Sequence, residues 1–443
     1  MTLGWTIRGA ALAMLLAGTA LHAQAAPQPQ TRPAATAAAL PNTQALFDGY
    51  VAAKKMPGIV GAFGVGDGPT HFVSAGHIST DPGAPPAGHD SLWRIYSMTK
   101  PITAMAAMIL VEEGKLKLDQ PISDFFPGFK SMKVLTSPDT SLDSVPAKTQ
   151  ITVRHLLTHT AGLTYSIGAK GPLLKEVERL GLTPGAVNAQ AEAVARPARP
   201  KTLAEFAERA ATLPLIAEPG TKWSYSMGLD VLAAVVEKAA GQPFESFVQT
   251  RLFTPLKMTS TYWTVPAGEV GRFATNYVFM GDAMVPFDPA ATSVYLQPPS
   301  FPYGGAGLVS SARDYDRFLH MLQNGGELDG VRVMKTETAA LAMSNLLPPG
   351  VTFEGIGDGT GGTQAPVAMG YGAGGSVYLA DNPTGASKGT YGWGGAAGTI
   401  AWVDPARKMR GTIMVNYFPA EKWPLRQEVP AALVKDAARL AAR

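Results

Sequence analysis

The sequence predicts a fold of the α/β class, of the α+β type. An antiparallel sheet flanked by helices is built from both ends of the folded body, and an all-helical domain is inserted between them. Two observations predict this arrangement. Short strand-like runs occur near residues 59–75 and again beyond Gly370, whereas residues 114–300 carry mainly helical patterns and long loops. Because 46% of the 443 residues are apolar, the chain can also bury a sizeable core.

The individual elements follow from periodicity and from stop signals. Apolar residues recur at helical spacing from Leu46 to Val51, and the Pro57-Gly58 pair ends that helix. Ser311 is a helix cap, and its helix stops at Asn324. The other predicted elements are strands at 59–65 and 71–75, an apolar helix at 98–113, a hairpin of 399–403 with 411–415, and a last helix at 428–442.

Domain boundaries are placed where the strand patterns stop and the helical patterns begin. We assign 42–96 and 301–443 to a discontinuous α/β sheet domain, and 97–300 to a mostly helical domain. A cleft between two such lobes is a common place for a ligand site.

The N-terminus has the pattern of an export signal. Arg8 precedes an apolar run of about 12 residues, which ends at the small residues Ala23-Gln24-Ala25. We therefore expect 1–25 to be a signal peptide and 26–41 to be a disordered leader, with the protein located in the periplasm or secreted. No later run reaches the roughly 18 apolar residues that a membrane span needs.

Composition excludes several functional classes. The net charge is +3, without a strongly basic stripe, so a nucleic-acid partner is not expected. The chain has no Cys, which excludes disulfides, thiolate metal sites and a cysteine nucleophile.

Ser97 and Lys100 form a Ser-x-x-Lys motif at the start of the predicted apolar helix. Pro101 marks that start, because proline lacks an N–H donor and belongs in the first turn of a helix. Positions three apart share a helix face, so the lysine can reach the serine hydroxyl, which needs a nearby base to become a nucleophile. The helix dipole favours a neutral lysine and a nearby oxyanion. A simple helix cap followed by a surface lysine fits the same residues.

Two further motifs each have a catalytic and a structural interpretation. Tyr225, within Trp-Ser-Tyr-Ser-Met, could exchange a proton with Ser97 if Lys100 lies beside it, or it could pack at a domain junction. Trp393-Gly394-Gly395 precedes a predicted strand. Glycines there would let a ligand approach the backbone, whose N–H groups could bind an oxyanion. A Gly-rich turn is the alternative.

Two histidines have the sequence spacing of a helical metal site. His155 and His159 are four residues apart, as in a helical zinc pair, but the residues between them supply no H-E-x-x-H glutamate. We interpret them as a structural pair at a helix end.

Taken together, the three motifs resemble those of the serine β-lactamase and penicillin-binding protein superfamily. They occur in the family's order, about 128 and 168 residues apart. Where enzymes that act on β-lactams or peptidoglycan usually carry Lys-Thr-Gly, this chain has Trp393-Gly394-Gly395, which is similar to the family VIII carboxylesterases. Those enzymes share the class C β-lactamase fold. The resemblance covers residues 45 to 440.

The resemblance implies a role for each matching residue. Ser97 would be the nucleophile, Lys100 and Tyr225 the base and proton shuttle, and the backbone N–H groups of Ser97 and Ala396 the oxyanion hole. The implied lining of the substrate pocket is Trp393, Gly394, Gly395 and Met227. Class C enzymes have Asn at the position of Met227. That replacement and the missing lysine argue against efficient β-lactam hydrolysis.

The resulting hypothesis is an exported serine carboxylesterase that cleaves short-chain or small acyl esters through a Ser97 acyl-enzyme. Three alternatives stay open. They are a β-lactamase or D-amino-acid peptidase (DD-peptidase) acting on β-lactams or peptidoglycan fragments, an acyltransferase using the same acyl-enzyme, and a non-catalytic ligand-binding relative. The resemblance implies no metal and no organic cofactor, and the expected partner is a small-molecule ester. The oligomeric state is left open by the sequence.

Overall fold

Both ends of the folded body contribute to one sheet in the computed structural model, which describes residues 40–185, 187–353, 367–383 and 385–440. The predicted signal peptide 1–25 lies outside the described residues, as does the predicted leader 26–41 except for its last two positions. The α-helices within the described part are α1 (Pro41–Ala52), α2 (Thr99–Glu112), α3 (Val153–Leu157), α4 (Gly171–Arg179), α5 (Ala189–Ala195), α6 (Leu203–Ala210), α7 (Gly228–Ala240), α8 (Phe244–Val248), α9 (Ala312–Gln323), α10 (Thr336–Ala342), α11 (Leu425–Lys435) and α12 (Ala437–Leu440).

The strands alternate with these helices mainly at the two ends of the described chain. They are β1 (Gly58–Val65), β2 (His71–Gly76), β3 (Leu92–Arg94), β4 (Lys133–Leu135), β5 (Ser144–Pro146), β6 (Asn276–Met280), β7 (Ala283–Asp288), β8 (Val309–Ser311), β9 (Glu327–Leu328), β10 (Val331–Arg332), β11 (Met369–Tyr371), β12 (Ser376–Tyr378), β13 (Tyr391–Gly394), β14 (Ile400–Asp404), β15 (Met409–Met414) and β16 (Tyr417–Phe418). Across the described residues, no helix has the length and apolar character that crossing a membrane requires.

The central sheet has seven strands in the order β11-β12-β13-β14-β15-β1-β2, and every neighbouring pair is antiparallel. The predicted hairpin is present as β14 and β15, which pair from Ile400 opposite Ile413 to Asp404 opposite Met409. Strand β15 then pairs with β1 from the other end of the chain. The predicted fold class, an antiparallel sheet built from both ends with helices inserted between, is confirmed.

Both faces of the sheet are covered by helices, and the alternation of side chains in β1 shows why. Val60 and Ala62 join a core that includes α9, whereas Ile59 and Phe63 join a second core formed with α1 and α11. A strand buried on both faces reads as the continuous apolar run seen in the sequence. The sheet therefore forms the middle layer between α9 on one side and the two terminal helices on the other.

The terminal helices are also joined by a polar contact. The carboxylate of Asp436 accepts hydrogen bonds from the backbone N–H groups of Asn42 (3.1 Å) and Thr43 (2.9 Å), at the start of α1. It thus caps unsatisfied donors of a helix nearly four hundred residues away in the sequence. The last helix was predicted over 428–442. In the structure α11 starts earlier, at Leu425, and ends at Lys435, just before Asp436.

Helix α2 lies inside the helical part of the molecule. All of its residues from Thr99 to Leu110 are buried, and it packs against α7, which also contacts α3, α6 and α8. A mainly apolar helix that is buried on every side is held by the elements around it. The start of α2 is therefore held in a fixed position beside the sheet.

A buried ion pair fixes the segment that leads into α2. The guanidinium of Arg94, at the end of β3, lies 2.6 Å from the carboxylate of Asp288 in β7. It also donates to the carbonyl of Ala274 (2.6 Å) and to the hydroxyl of Ser293 (2.9 Å), and the backbone N–H of Arg94 donates to Asn416 (3.0 Å). Because its donors find acceptors, this buried charge is tolerated.

We expect Asp288→Ala to lower the free energy of unfolding by about 3–5 kcal/mol, because it leaves the Arg94 guanidinium buried without its counter-ion. The matched control is Glu176→Ala, which removes an exposed pair with Arg179 and should cost no more than about 0.5 kcal/mol. Urea denaturation of the three proteins measures both values. Equal losses for the two variants would contradict a special role for the buried pair.

Candidate active site

Ser97 lies in a tight turn at the mouth of a cleft. Residues Tyr96–Met98 form one 3₁₀ turn, and α2 begins at Thr99. Tyr96 has φ = +40°, a left-handed conformation that is strained for a bulky side chain. Its ring is held in place because its hydroxyl accepts a hydrogen bond from Asn276 (3.0 Å) and because Phe418 packs against its edge. The strained turn presents the Ser97 hydroxyl to the cleft.

The three predicted catalytic side chains come together. The Tyr225 hydroxyl lies 2.6 Å from Ser97 Oγ, and Lys100 Nζ lies 3.2 Å from the same atom. Lys100 Nζ is also 4.6 Å from the centre of the Tyr225 ring. Ser97 therefore has two groups within hydrogen-bond reach that can carry its proton, which is the arrangement needed to activate a hydroxyl nucleophile.

The environment of Lys100 is unusual for a lysine. Its side chain is 1% exposed, and its amine donates to the carbonyl of Gly305 (2.7 Å). Within the described part of the chain, it forms no ion pair with a carboxylate at contact distance. Lysine is almost never fully buried without a partner, so this burial indicates a functional position.

The third motif forms the opposite wall. Trp393 and Gly394 end strand β13, and Gly395 and Ala396 follow in a turn whose Gly395 N–H donates to the Thr399 carbonyl (2.8 Å). A side chain at Gly395 would overlap the carbonyl oxygen of Ile95, which explains why a glycine stands there. The strand end thus abuts the turn that carries Ser97.

Ala396 is exposed in the cleft, as the predicted oxyanion hole requires. In the regions that the structure describes, its backbone N–H donates to no acceptor of the chain. Ser97 and Ala396 both line the cleft, and the Ser97 backbone lies just before the N-terminus of α2, where N–H groups are free to bind an anion. The placement of both N–H groups is compatible with binding an oxyanion.

Met227 does not line the cleft, which corrects the sequence-based assignment to the substrate pocket. Its side chain is fully buried in the helical core, at the residue that directly precedes α7. The chain turns into the helix after Tyr225, and this turn directs Met227 away from Ser97. The other three predicted pocket residues, Trp393, Gly394 and Gly395, do line the cleft.

Aromatic rings line part of the cleft near Ser97. Its volume is about 2050 Å³, and Trp223, Tyr225, Phe353 and Trp393 are among its lining residues. The rings pack on one another, with centres 4.7 Å apart for Trp223 and Phe353 and 5.8 Å apart for Tyr225 and Trp393. Sequence reasoning found Tyr225 and Trp393 but did not assign Trp223 or Phe353 to the pocket, because nothing local marks them as neighbours of a site.

The two histidines make different contacts, one at the start of α3 and one beside Tyr225. His155 Nδ1 accepts the backbone N–H of Thr152 (3.2 Å) and completes a capping box at the start of α3. His159 is buried next to Tyr225, with ring centres 4.9 Å apart, and its Nδ1 accepts the N–H of Ser226 (3.2 Å). The described residues contain no group of three or more His, Asp or Glu side chains placed to hold a metal ion.

His159 is a buried histidine whose ring resists protonation. Burial holds the pKa of His159 well below its ordinary value of 6.5, and the nearby Lys100 amine acts in the same direction. The backbone of His159 is left-handed, with φ = +56°. Its neutral ring therefore supports the segment that carries Tyr225.

Comparison with known proteins gives a consistent assignment. Residues 43–433 match the family model described as Beta-lactamase. The chain is 32% identical over 356 residues to Esterase EstB of Burkholderia gladioli, covering 75% of this chain and 79% of that protein. It is 30% identical over 364 residues to Acyltransferase calJ of Penicillium decumbens, covering 78% and 80%. The fold is shared with the solved structure of EstCE1, "a hydrolase with promiscuous acyltransferase activity" (TM-score 0.69, 24% identity, 89% of this chain and 98% of that one).

We expect His159→Asn to flatten the fall in stability at acidic pH. The folded-state pKa of His159 is lowered, so the unfolded chain binds its proton first as the pH falls below about 6.5, and stability is lost there. Without an ionisable group, the variant should lack this contribution, which is worth up to about 1.4 kcal/mol per pH unit. Asparagine also tolerates the left-handed backbone.

Urea denaturation at several pH values from 5 to 8 measures the two slopes. His77→Asn, at an exposed histidine, is the matched control and should keep the slope of the unaltered protein. Equal slopes for the His159 variant and the unaltered protein would contradict the burial argument.

Proposed function

The chain belongs to the Beta-lactamase family, and we propose that it is a serine ester hydrolase working through an acyl-enzyme on Ser97. One observation carries the proposal: the Ser97 hydroxyl lies between the Tyr225 hydroxyl (2.6 Å) and the Lys100 amine (3.2 Å) at an open cleft. The similarity to an esterase and an acyltransferase, each at 30% identity or more, supports the same reaction class. Export to the periplasm or the medium stays a prediction from the first 25 residues.

In the acylation step, Ser97 Oγ attacks the ester carbonyl carbon. Its proton passes to the base formed by Tyr225 and Lys100, and the carbonyl oxygen becomes an oxyanion bound by the N–H groups of Ser97 and Ala396. When the intermediate collapses, the carbon–oxygen bond to the alcohol breaks. The alcohol leaves with the proton, and the acyl group remains on Ser97.

In the deacylation step, a water molecule repeats the attack on the acyl-enzyme. Tyr225 and Lys100 take the proton of the water and return it to Ser97 Oγ as the acid leaves. The same proton route therefore serves both halves of the reaction.

The walls of the cleft favour a neutral, apolar ester over a β-lactam. β13 presents the indole of Trp393 where β-lactam-hydrolysing relatives usually carry a lysine, and the buried Met227 provides no amide to bind an acyl-amide group. The neighbouring rings of Trp223 and Phe353 extend the apolar surface. The expected substrate is an ester whose acyl group is small or short-chain.

Acyl transfer is a second candidate, because the cleft is larger than a short-chain ester needs. Its lining continues from Ser97 past Trp393 as far as Leu433, so a second molecule has room beside the acyl group. An alcohol acceptor bound there would replace water in the second step. The relative named as an acyltransferase supports keeping this candidate.

We expect the mature protein to cleave p-nitrophenyl butyrate much faster than nitrocefin, and Ser97→Ala to lower ester cleavage by at least about 10³-fold, because the nucleophile is lost. Initial rates of both proteins on both substrates measure this. Glu176→Ala, at the exposed pair, is the control variant. Unchanged ester cleavage in Ser97→Ala would disprove the site, and faster nitrocefin cleavage would indicate a β-lactamase. Formation of a new ester after addition of an alcohol would indicate acyl transfer.

We expect Trp393→Lys to raise nitrocefin turnover by about tenfold, since a charge-assisted hydrogen bond to the β-lactam carboxylate adds about 1.5 kcal/mol. Butyrate cleavage should fall, because the apolar wall is interrupted. Trp393→Phe is the matched control, which changes size without adding a charge. If neither variant alters the preference between the two substrates, Trp393 does not determine it.

A further inference from the structure

Asp230 lies directly behind Lys100, with Gly305 between them. The Lys100 amine donates to the Gly305 carbonyl (2.7 Å), and the Gly305 N–H donates to Asp230 Oδ1 (2.8 Å). The other carboxylate oxygen, Oδ2, accepts from the Tyr165 hydroxyl (3.0 Å). Gly305 thus links the amine to the acid through its carbonyl and its N–H.

The space around Gly305 leaves no room for a side chain at this position. A Cβ there would lie 2.5 Å from Asp230 Oδ2 and 2.6 Å from the Tyr165 hydroxyl. The absent side chain therefore allows the carboxylate to approach the backbone that receives Lys100.

The contacts of Asp230 are those of an ionised carboxylate. It is 3% exposed, and its two oxygens accept from Gly305 and from Tyr165. Burial has the largest effect and raises the pKa of Asp230 above its ordinary value, although Lys100 and both donors act in the opposite direction. The same carboxylate and burial raise the pKa of the Tyr165 hydroxyl well above its ordinary range, which keeps that hydroxyl a donor.

The groups that face Lys100 come from several elements. Ser97 and Tyr225 contact its amine or lie over it, Tyr165 presents its ring 5.3 Å away, and His159 lies close enough to interact electrostatically. Asp230 adds a negative charge that acts on Lys100 from behind these groups. Asp230 also interacts electrostatically with Tyr303.

We propose that Asp230 is a positioning residue that directs the Lys100 amine toward Ser97 and balances its charge through Gly305. This inference rests on the proposed function, in which Lys100 is part of the base. A nearby negative charge favours the protonated ammonium over the neutral amine. Removing the charge of Asp230 therefore removes a favourable interaction of the ammonium.

The test is the pH dependence of the reaction between Ser97 and a fluorophosphonate probe. In Asp230→Asn, the acid limb of the rate profile should move to lower pH by about one unit, because the neutral amide no longer supports the ammonium. Asparagine has the same shape and still accepts from the Gly305 N–H, so the fold should persist. Asp230→Ser gives the same test if the Asn variant does not fold.

Asp314→Asn is the matched control. Asp314 is also a buried acid, with its carboxylate accepting from Ser260 N–H (2.6 Å) and the Thr261 hydroxyl (2.9 Å), but it does not face Lys100. In the Asp314→Asn variant, the acid limb of the pH–rate profile should lie at the same pH as in the unaltered protein. A uniform loss of rate in Asp230→Asn with an unmoved acid limb would overturn the proposal and leave Asp230 a purely structural role.

The probe separates this inference from the proposed function. If Ser97 of the unaltered protein reacts with the fluorophosphonate but no ester is cleaved, the proposed function fails while the role of Asp230 is still measured. If esters are cleaved and the acid limb does not move, only the role of Asp230 fails.

Discussion

A buried lysine amine beside a serine hydroxyl is the constraint around which this protein is organised. Water cannot solvate Lys100, which is 1% exposed, so the protein must supply its partners. The Gly305 carbonyl, the Ser97 hydroxyl and the faces of two tyrosine rings do so at short range. The buried apolar residues of α2 and its packing against α7 exclude water from the Lys100 amine. Burial of the helix and activation of the serine are therefore two consequences of one packing arrangement.

The same site depends on a rigid entry into α2. Tyr96 adopts a strained backbone conformation immediately before Ser97, and such strain persists only when the surroundings hold it. The buried pair of Arg94 and Asp288 lies two residues earlier and ties β3 to β7. The pair and the backbone bond of Arg94 to Asn416 hold the segment that leads to Ser97 in place. The nucleophile is therefore carried by a fixed backbone.

The aromatic surface of the cleft accounts for the choice of substrate class that we propose. Trp393 lies on the last part of β13, and the next residues lead directly to the exposed N–H of Ala396. One strand end therefore supplies both an apolar wall and a candidate oxyanion donor.

Local sequence determined the parts of this protein that depend on short-range geometry. The three-residue spacing of Ser97 and Lys100, the hairpin of β14 and β15, and the cap at Ser311 each follow from helix or strand periods and from backbone donors within a few residues. The resemblance of three ordered motifs added Tyr225 and Trp393, which no local pattern could have brought to Ser97.

Tertiary structure decided what depends on packing between distant segments. Met227 has the sequence position of a pocket residue, but the start of α7 buries it. Asp230 and Gly305 are 75 residues apart and meet only because α7 packs against α2 beside Gly305. The physical reason is that periodicity fixes the direction of a side chain relative to its own element, whereas its neighbours depend on how the elements pack together.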